Sequence, residues 1–233
     1  DFGYPLEIDD GRKKKYRTLP QRPVKVTNPA VRYLESRGIS RAVTERYRIT
    51  TQRGHDNILV FPFYDGDGVM KFVKYRKTDF VKGRDRNKEW SEKDTMPILF
   101  GMDRCEGKDR LVITEGQIDS LSLTEAGIQN AVSVPTGAMG FTWLENVWEW
   151  INGFAEIIVF GDCEKGKITL VDALSRRLPK PVKVVRQEDY LGEKDANDIL
   201  RKYGTEALRQ AVANARIILV THIKELADVA AVD

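Results

Sequence analysis

Carboxylate side chains are grouped three times in the second half of this 233-residue chain, each time at or just beyond an apolar run of β-strand character. In an open parallel sheet the carboxyl ends of the strands meet at one edge, where ligands bind. Two carboxylates about 4 Å apart repel by about 4 kcal/mol at an effective dielectric of about 20, so a bound divalent cation is the usual reason to gather them. The three groups are Glu115 with Asp119, Asp162 with Glu164, and Asp195 with Asp198.

The chemistry of these side chains indicates Mg²⁺ or Mn²⁺ as the bound cation. All the candidate ligands are hard oxygen atoms, which these ions prefer. The two His and two Cys of the chain, His55, His222, Cys105 and Cys163, are far apart and have no zinc-site spacing. Carboxylates holding two such ions suit phosphoryl transfer, because the ions activate a hydroxyl and neutralise the leaving oxygen.

The spacing within the groups predicts how they face the site. Asp119 follows Glu115 by four residues, about one helical turn, and can therefore face the same ligand. Asp162 and Glu164 are two residues apart, which places both on one side of an extended strand end. Gly166 is predicted to begin a helix whose N-terminus would favour a phosphate.

The net charge is only +3, but basic side chains are concentrated in the first hundred residues. A basic half beside a carboxylate half suggests a polyanionic partner together with metal chemistry, whereas the simpler interpretation is a solvated charged surface. The basic residues concerned are Arg12, Lys13, Lys14, Lys15, Arg17, Lys71, Lys74, Arg76, Lys77, Lys82, Arg84, Arg86 and Lys88.

The overall composition predicts a protein of the cytoplasm rather than of a membrane. Hydrophobic residues make up 41% and charged residues 31% of the chain, and no run of 18 apolar residues occurs. No signal-peptide pattern opens the sequence, and two Cys do not form a disulfide framework, which fits a reducing compartment. Because the sequence begins at Asp1, we expect a fragment of a longer protein.

From residue 108 onward, strands alternate with helices, a pattern that predicts βαβ units and a central parallel sheet. The helical stripe of Trp143, Val147, Trp148 and Ile151 is interpreted as core packing. The predicted strands are 111–114, 131–134, 156–161 and 182–185, and the predicted helices are 117–126, 142–151, 166–177, 196–203 and 205–214.

The first half has a different pattern, which predicts a smaller α+β unit rich in basic residues. Asn28 and Pro29 are predicted to cap and begin a helix that ends at Gly38, and a second helix capped by Ser40 follows. Apolar runs around an Asp-Gly turn predict a hairpin over 57–80, and a charged loop carrying Trp90 follows it. The predicted boundaries are a partly disordered linker at 1–28, a basic subdomain at 29–107, an α/β domain at 108–214 and an extension or linker at 215–233.

With these residues in view, the second half resembles a TOPRIM domain, the metal-binding module of DnaG-type primases, topoisomerases and some nucleases. That family places a Glu after its first strand and an Asp-x-Asp after a later one, which match Glu115 and Asp162-Cys163-Glu164. Two departures stand out: the second Asp is replaced by Glu164, and Gly166 arrives one residue early. Glu is also a hard oxygen ligand, and the sequence leaves open which of Asp162 and Glu164 binds a metal directly.

Several segments resemble DnaG-type primases in particular, and together they cover roughly residues 29–205. Tyr33–Ser40 is similar to a YL-x-x-RGIS segment, and Asn57–Pro62 is similar to an RIMFP strand. Further likenesses lie at Phe72–Arg76, Lys88–Trp90 and Ile98–Gly101, and Lys194–Asp198 is similar to the KDAN stretch of phage and Twinkle-like primase–helicases.

This resemblance implies a TOPRIM domain with a central parallel sheet behind a basic subdomain, and a DNA primase polymerase core. Such an enzyme makes short RNA primers from ribonucleoside triphosphates on a single-stranded DNA template, with Mg²⁺ or Mn²⁺, and works with a replicative helicase. By the same analogy Glu115, Asp162 and Glu164 would be the catalytic metal ligands, while Asp119 and Asp195 would support them or hold a second ion. Lys74, Arg76, Lys88 and, less directly, Lys77 would contact the phosphates of template or nucleotide.

Two alternatives remain at this point. A TOPRIM nuclease or a topoisomerase-like enzyme would use the same metals to cleave DNA, although no Tyr stands in a setting that suggests a nucleophile. A catalytically inactive domain of a replicative helicase would keep the fold as a clamp for single-stranded DNA. Such a clamp should bind DNA without a divalent metal and release it as salt rises.

Overall fold

The structure is a computed structural model that describes residues 15–137, 140–178 and 180–217. The first half of the linker predicted at 1–28 lies outside these ranges, as does the basic run Arg12-Lys13-Lys14. Most of the extension predicted at 215–233 also lies outside them.

Two short helices open the described fold. Helix α1 spans Asn28–Ser36 and helix α2 spans Arg41–Arg46. The predicted cap of α1 was wrong: Thr27 is the N-cap residue, because its backbone is extended while that of Asn28 is already helical. The predicted cap of α2 is confirmed, since the Ser40 hydroxyl accepts a hydrogen bond from the backbone N–H of Val43.

The N-terminal sheet, which comprises β1–β4, is antiparallel with strand order β1-β2-β3-β4. Its strands are β1 (Thr50–Gln52), β2 (His55–Tyr64), β3 (Met70–Lys77) and β4 (Glu89–Ser91). The predicted hairpin is confirmed by β2 and β3. Residues 89–91, predicted as loop, form β4 instead, because Trp90 pairs opposite Tyr75 and stacks on its ring at a centroid distance of 5.5 Å.

The C-terminal sheet, which comprises β5–β9, has strand order β6-β5-β7-β8-β9. Its first four strands run parallel, as predicted, and β9 is antiparallel to β8. The strands are β5 (Arg110–Thr114), β6 (Ala131–Ser133), β7 (Glu156–Phe160), β8 (Val182–Val184) and β9 (Arg216–Ile217).

Helices connect these strands, with two differences from the prediction. The helix expected from Gly166 begins only at Thr169, because Gly166 has a φ of +76° and lies in a turn closed by Glu164 and Lys167. The other difference is only one of continuity: the helices predicted at 196–203 and 205–214 follow each other directly as one element, and the predicted break between them lies at Gly204, where the backbone is not helical and φ is +81°. The helices are α3 (Gln117–Glu125), α4 (Leu144–Asn152), α5 (Thr169–Ser175) and α6 (Ala196–Ala213).

Phe100 joins the two sheets. Its backbone N–H and C=O exchange hydrogen bonds with those of Ser133 at the end of β6, while its ring packs against Phe61 and Phe63 of β2. One continuous apolar core therefore extends from the N-terminal sheet into the C-terminal sheet. Three residues of the predicted helical stripe, Trp143, Val147 and Ile151, belong to this core, and Trp148 is partly buried against it.

The described part of the predicted linker lies against the N-terminal sheet. Leu19 is buried, the backbone N–H of Arg17 donates to the carbonyl of Asp94, and the Gln21 amide bonds the backbone of Met70. These contacts dock residues 17–21 on the fold. Among the described residues, no helix combines the length and apolar character needed to cross a bilayer.

Candidate active site

A polar cleft lies between the carboxyl edge of the C-terminal sheet and one face of the N-terminal sheet. Both halves of the chain contribute charged side chains to it, basic ones mainly from the first half and acidic ones from the second. The lining residues are Arg37, Lys74, Arg76, Lys88, Glu89, Glu115, Gly116, Ile118, Asp119, Gly137, Asp162, Lys194, Asp195 and Asn197.

Four carboxylates form the acidic wall of the cleft. Glu115 comes directly after β5 and Asp162 comes two residues after β7, which is central in the parallel sheet. Asp119 lies on the first turn of α3, and Asp195 is the N-cap of α6, where its carboxylate accepts from the backbone N–H of Asp198. All four line one cleft, as the prediction expected, but Asp195 does not follow a strand end: it caps α6, well beyond the end of β8 at Val184.

Asp119 is the most electrostatically constrained of these groups. Burial raises the pKa of its carboxyl well above the usual range, and the charges of Asp195 and Asp162 raise it further. The backbone N–H of Asn197 donates to Asp119 Oδ1 at 3.0 Å, which partly offsets this effect. The pKa of Asp195 is also raised, by burial and by its neighbours Asp198 and Asp162. The carboxylates of the acidic wall therefore repel one another, and the effect is largest at buried Asp119.

Glu164 lies apart from the other four candidate ligands. Its side chain is 73% exposed and is not part of the cleft lining, because the chain turns at Glu164 and Lys167 instead of remaining extended. The ammonium of Lys194 connects it to the cleft, at 2.8 Å from Asp162 Oδ2 and 3.4 Å from Glu164 Oε1. The Asp162 carboxylate raises the pKa of Lys194 above its ordinary value.

The donor types in the cleft fit a hard divalent cation, although they are not arranged as a ready metal site. Within residues 15–137, 140–178 and 180–217, no three His, Cys, Asp or Glu side chains converge as they would around a metal. The acidic wall offers only oxygen ligands, and its repulsion, seen in the raised pKa of buried Asp119, is the kind that a divalent charge relieves. In this arrangement Lys194 supplies the positive charge beside Asp162.

Lys74 and Arg76 on β3 form the basic wall, and Glu89 on β4 lies between them. Lys74 Nζ is 2.7 Å from Glu89 Oε2, and an Arg76 guanidinium nitrogen is 2.8 Å from Glu89 Oε1. Lys74 is almost fully buried, so its charge depends on this pairing. Burial alone would raise the pKa of Glu89, but Lys74 and Arg76 hold it below its ordinary value.

Of the other two residues predicted to contact phosphate, Lys88 lines the cleft and Lys77 does not. Lys88 lines the cleft, where Arg76 and then burial lower its pKa. Lys77 lies outside the cleft lining and is 2.7 Å from Asp85. Alternation along β3 explains the difference, since Lys74 and Arg76 share one face of the strand and Lys77 faces the other way.

Arg37, Glu89, Lys194 and Asn197 line the cleft but were not predicted as site residues. Asn197 is buried, and its side-chain amide donates to the carbonyl of Arg37 at 2.8 Å and to the hydroxyl of Ser122 at 2.9 Å. It therefore holds the end of α1 against α3 and α6. The sequence did hold one signal for these four residues: each lies inside or beside a segment that resembles DnaG-type primases or primase–helicases.

Comparison with curated proteins finds relatives among primase-like proteins of Arabidopsis thaliana, although no family model matches the chain. A Twinkle homolog protein, chloroplastic/mitochondrial, and a primase homolog protein are each 29% identical in an alignment of 202 residues that covers 78% of this chain. The match spans 28% of the former and 58% of the latter, so this chain corresponds to only part of each relative.

Solved structures with the same fold are primase fragments. The Aquifex aeolicus primase, with zinc-binding and RNA polymerase domains, aligns with a TM-score of 0.66 and 19% identity, covering 85% of this chain and 58% of that one. The primase fragment of the bacteriophage T7 primase–helicase gives a TM-score of 0.62 and 24% identity, covering 84% and 82%. A DnaG primase catalytic domain bound to single-stranded DNA gives 0.64 and 20%, covering 88% and 77%.

These likenesses agree with the cleft, in which residues from the primase-like segments of both halves meet. At these identities the structural matches establish the fold, and the curated relatives extend the likeness to sequence over most of the chain. The mixed α/β chain, with its largely parallel C-terminal sheet, therefore resembles DnaG-type and phage-like primases, as its sequence predicted.

Proposed function

We propose that this chain is the polymerase core of a DNA primase, with a TOPRIM domain at 108–214 behind a basic subdomain at 29–107. The observation that carries this proposal is the cleft itself, where four carboxylates face Arg37, Lys74, Arg76 and Lys88 across a gap open to solvent. Carboxylates that can hold a metal ion, opposite cations that can hold phosphates, suit phosphoryl transfer to a nucleic acid.

Glu115 and Asp162 are the proposed ligands of a divalent cation, Mg²⁺ or Mn²⁺, with Asp119 and Asp195 supporting them or holding a second ion. Such an ion, when bound, would lower the pKa of a primer 3′-hydroxyl and neutralise charge on the phosphates. Glu164, which is largely exposed, would contribute through Lys194 or by moving inward.

The basic wall would bind the phosphates of the incoming ribonucleoside triphosphate or of the single-stranded DNA template. Arg76 is the proposed principal contact, because a guanidinium can hold two phosphate oxygens at once. Lys74 and Lys88 would add positive charge beside it, and Lys77 would act only by supporting the fold. No side chain is required as a nucleophile, so positioning and electrostatic stabilisation account for catalysis.

A primer-extension assay tests this function. Single-stranded DNA annealed to a short labelled RNA primer would be incubated with four ribonucleotides and Mg²⁺ or Mn²⁺. A pre-made primer tests extension alone, because the chain then does not have to begin a primer. We expect metal-dependent lengthening that Glu115→Gln and Asp162→Asn abolish and that Asp109→Asn, at an exposed site outside the cleft, leaves intact.

Other outcomes would redirect the assignment. Metal-dependent shortening of the strands would place the protein among TOPRIM nucleases. Full lengthening by Glu115→Gln would contradict the proposed metal site.

The second candidate function is an inactive primase-like domain that clamps single-stranded DNA for a replicative helicase. Two observations favour it: Lys194 already neutralises Asp162, and the described carboxylates do not converge around a metal position. Salt-sensitive DNA binding that is identical with and without Mg²⁺, in a protein that does not extend primers, would support the clamp.

A further inference from the structure

The charged cleft is internally neutralised on both of its walls. On the acidic wall, the Lys194 ammonium contacts Asp162 and Glu164. On the basic wall, the Glu89 carboxylate is held between Lys74 and Arg76. A cation therefore sits among the proposed metal ligands, and an anion sits among the proposed phosphate ligands.

Each internal ion resembles the ligand that its wall is suited to bind. The two Glu89 oxygens are bound by different cations, at 2.7 and 2.8 Å, as two oxygens of a phosphate would be. Lys194 is a single positive charge in contact with two carboxylates. It therefore neutralises part of the negative charge that a divalent ion would neutralise there.

Both internal ions are placed so that they can move. The side chain of Lys194 is 48% exposed and that of Glu89 is 30% exposed, so neither is locked into the core. The backbone carbonyl of Lys194 accepts from the N–H of Cys163, which fixes the base of the side chain beside the acidic wall. Only the partly exposed end, now paired with Asp162 and Glu164, would have to move. Lys194 and Lys88 line the same cleft, so the two walls share one electrostatic environment.

We propose that Lys194 and Glu89 are displaceable internal counter-ions, exchanged together for a divalent metal ion and a nucleoside triphosphate. This inference rests on the proposed function. A metal arriving alone must displace Lys194, and a triphosphate arriving alone must displace Glu89. When both arrive, the released ammonium and the released carboxylate remain in the same cleft, where each can approach the ligand of opposite charge, so each ligand promotes the binding of the other.

Equilibrium binding with one ligand at a time tests the proposal without any reliance on catalysis. Mn²⁺ binding would be followed by electron paramagnetic resonance in the absence of nucleotide, and ATP binding by calorimetry in EDTA. We expect Lys194→Met to bind Mn²⁺ alone about tenfold more tightly, and Glu89→Gln to bind ATP alone about tenfold more tightly. The factor by which Mn²⁺ strengthens ATP binding should fall in both variants.

Matched controls separate this effect from a general change of charge. Lys202→Met removes an ion-paired lysine near Glu193, and Glu92→Gln removes a carboxylate paired with Arg17; neither residue lines the cleft. Both controls should match the wild type. Because Glu89→Gln could destabilise buried Lys74, the Lys194→Met arm, at a half-exposed side chain, stands as an independent test.

The possible results are distinct. Unchanged or weaker Mn²⁺ binding by Lys194→Met would overturn the counter-ion proposal while leaving the polymerase function standing. Failure of the wild type and all variants to bind Mn²⁺ and ATP, separately or together, would overturn both.

Discussion

The charged side chains of the two cleft walls are positioned by different structural rules. The acidic wall takes residues from strand ends and helix starts of a parallel sheet, where connectivity alone brings them to one edge. The basic wall takes residues from the middle of antiparallel β3, where alternation decides which side chains face the cleft. The carboxylates of the acidic wall therefore gather at one edge of the parallel sheet. In the basic wall, only the cations on one face of β3 reach the cleft.

The largest effect is expected on the acidic wall, between Asp162 and Glu164. Asp162→Asn should lower primer extension by about 100-fold or more, because it removes a charge inside the cleft. Glu164→Gln should lower it by less than about fivefold, as an exposed ion-pair partner would. Rates measured at saturating Mn²⁺ check this, and equal losses would show that Glu164 turns inward to join the site.

The next largest effect is expected on ligand binding, and it should differ between substitutions on the two faces of β3. Arg76→Met should weaken nucleotide or template binding by about 10- to 100-fold, the range for a hydrogen bond to a charged group. Lys77→Met should change binding by less than about threefold, since Lys77 pairs with Asp85 outside the cleft. Fluorescence titration of single-stranded DNA and of ATP checks this, and a comparable loss in Lys77→Met would contradict the sorting by face.

The packing of the end of α1 against α3 and α6 should depend on the side chain of Asn197. Asn197→Ala leaves the Arg37 carbonyl and the Ser122 hydroxyl without their buried donor, so we expect a loss of about 1–3 kcal/mol in the free energy of unfolding. Asn57→Ala, which loses a surface contact with Asp79, is the control and should cost much less. Urea denaturation followed by circular dichroism measures both.

The smallest expected effect is on the free energy of unfolding, which the buried carboxyl of Asp119 is expected to lower. Asp119→Asn keeps an acceptor for the backbone of Asn197 but removes the buried charge, so the free energy of unfolding at pH 7 should rise by about 0.5–2 kcal/mol. The folded protein raises the pKa of Asp119, so the wild type loses stability only at pH values where that carboxyl is ionised in the unfolded chain. The gain should therefore be complete above the folded-state pKa and vanish as the pH falls towards the unfolded value of 3.8.

Thermal denaturation between pH 4 and pH 8 checks the last prediction, with Asp109→Asn as an exposed control. A lower stability of Asp119→Asn at pH 7 would mean that the carboxylate is favourably paired. That result would contradict the claim that repulsion among the carboxylates of the acidic wall destabilises the fold.

Much of the fold was predictable because hydrophobic periodicity and turn residues are local signals. The alternation of strands and helices after residue 108 predicted the parallel sheet, and the Asp-Gly turn predicted the β2–β3 hairpin. The errors fell where local signals compete with tertiary contacts. Strand β4 forms because Trp90 stacks on Tyr75, and α5 begins late because Gly166 is used in a turn.

The sequence by itself determined which chemistry was available: carboxylates at strand ends, cations on a neighbouring hairpin and segments shared with primases. The tertiary structure alone decided which of these groups meet and how they are paired. It placed Glu164 and Lys77 outside the cleft and brought Glu89 and Lys194 into it as counter-ions. The reason is physical: the composition of a strand end can be read locally, whereas burial and charge pairing depend on side chains distant along the chain.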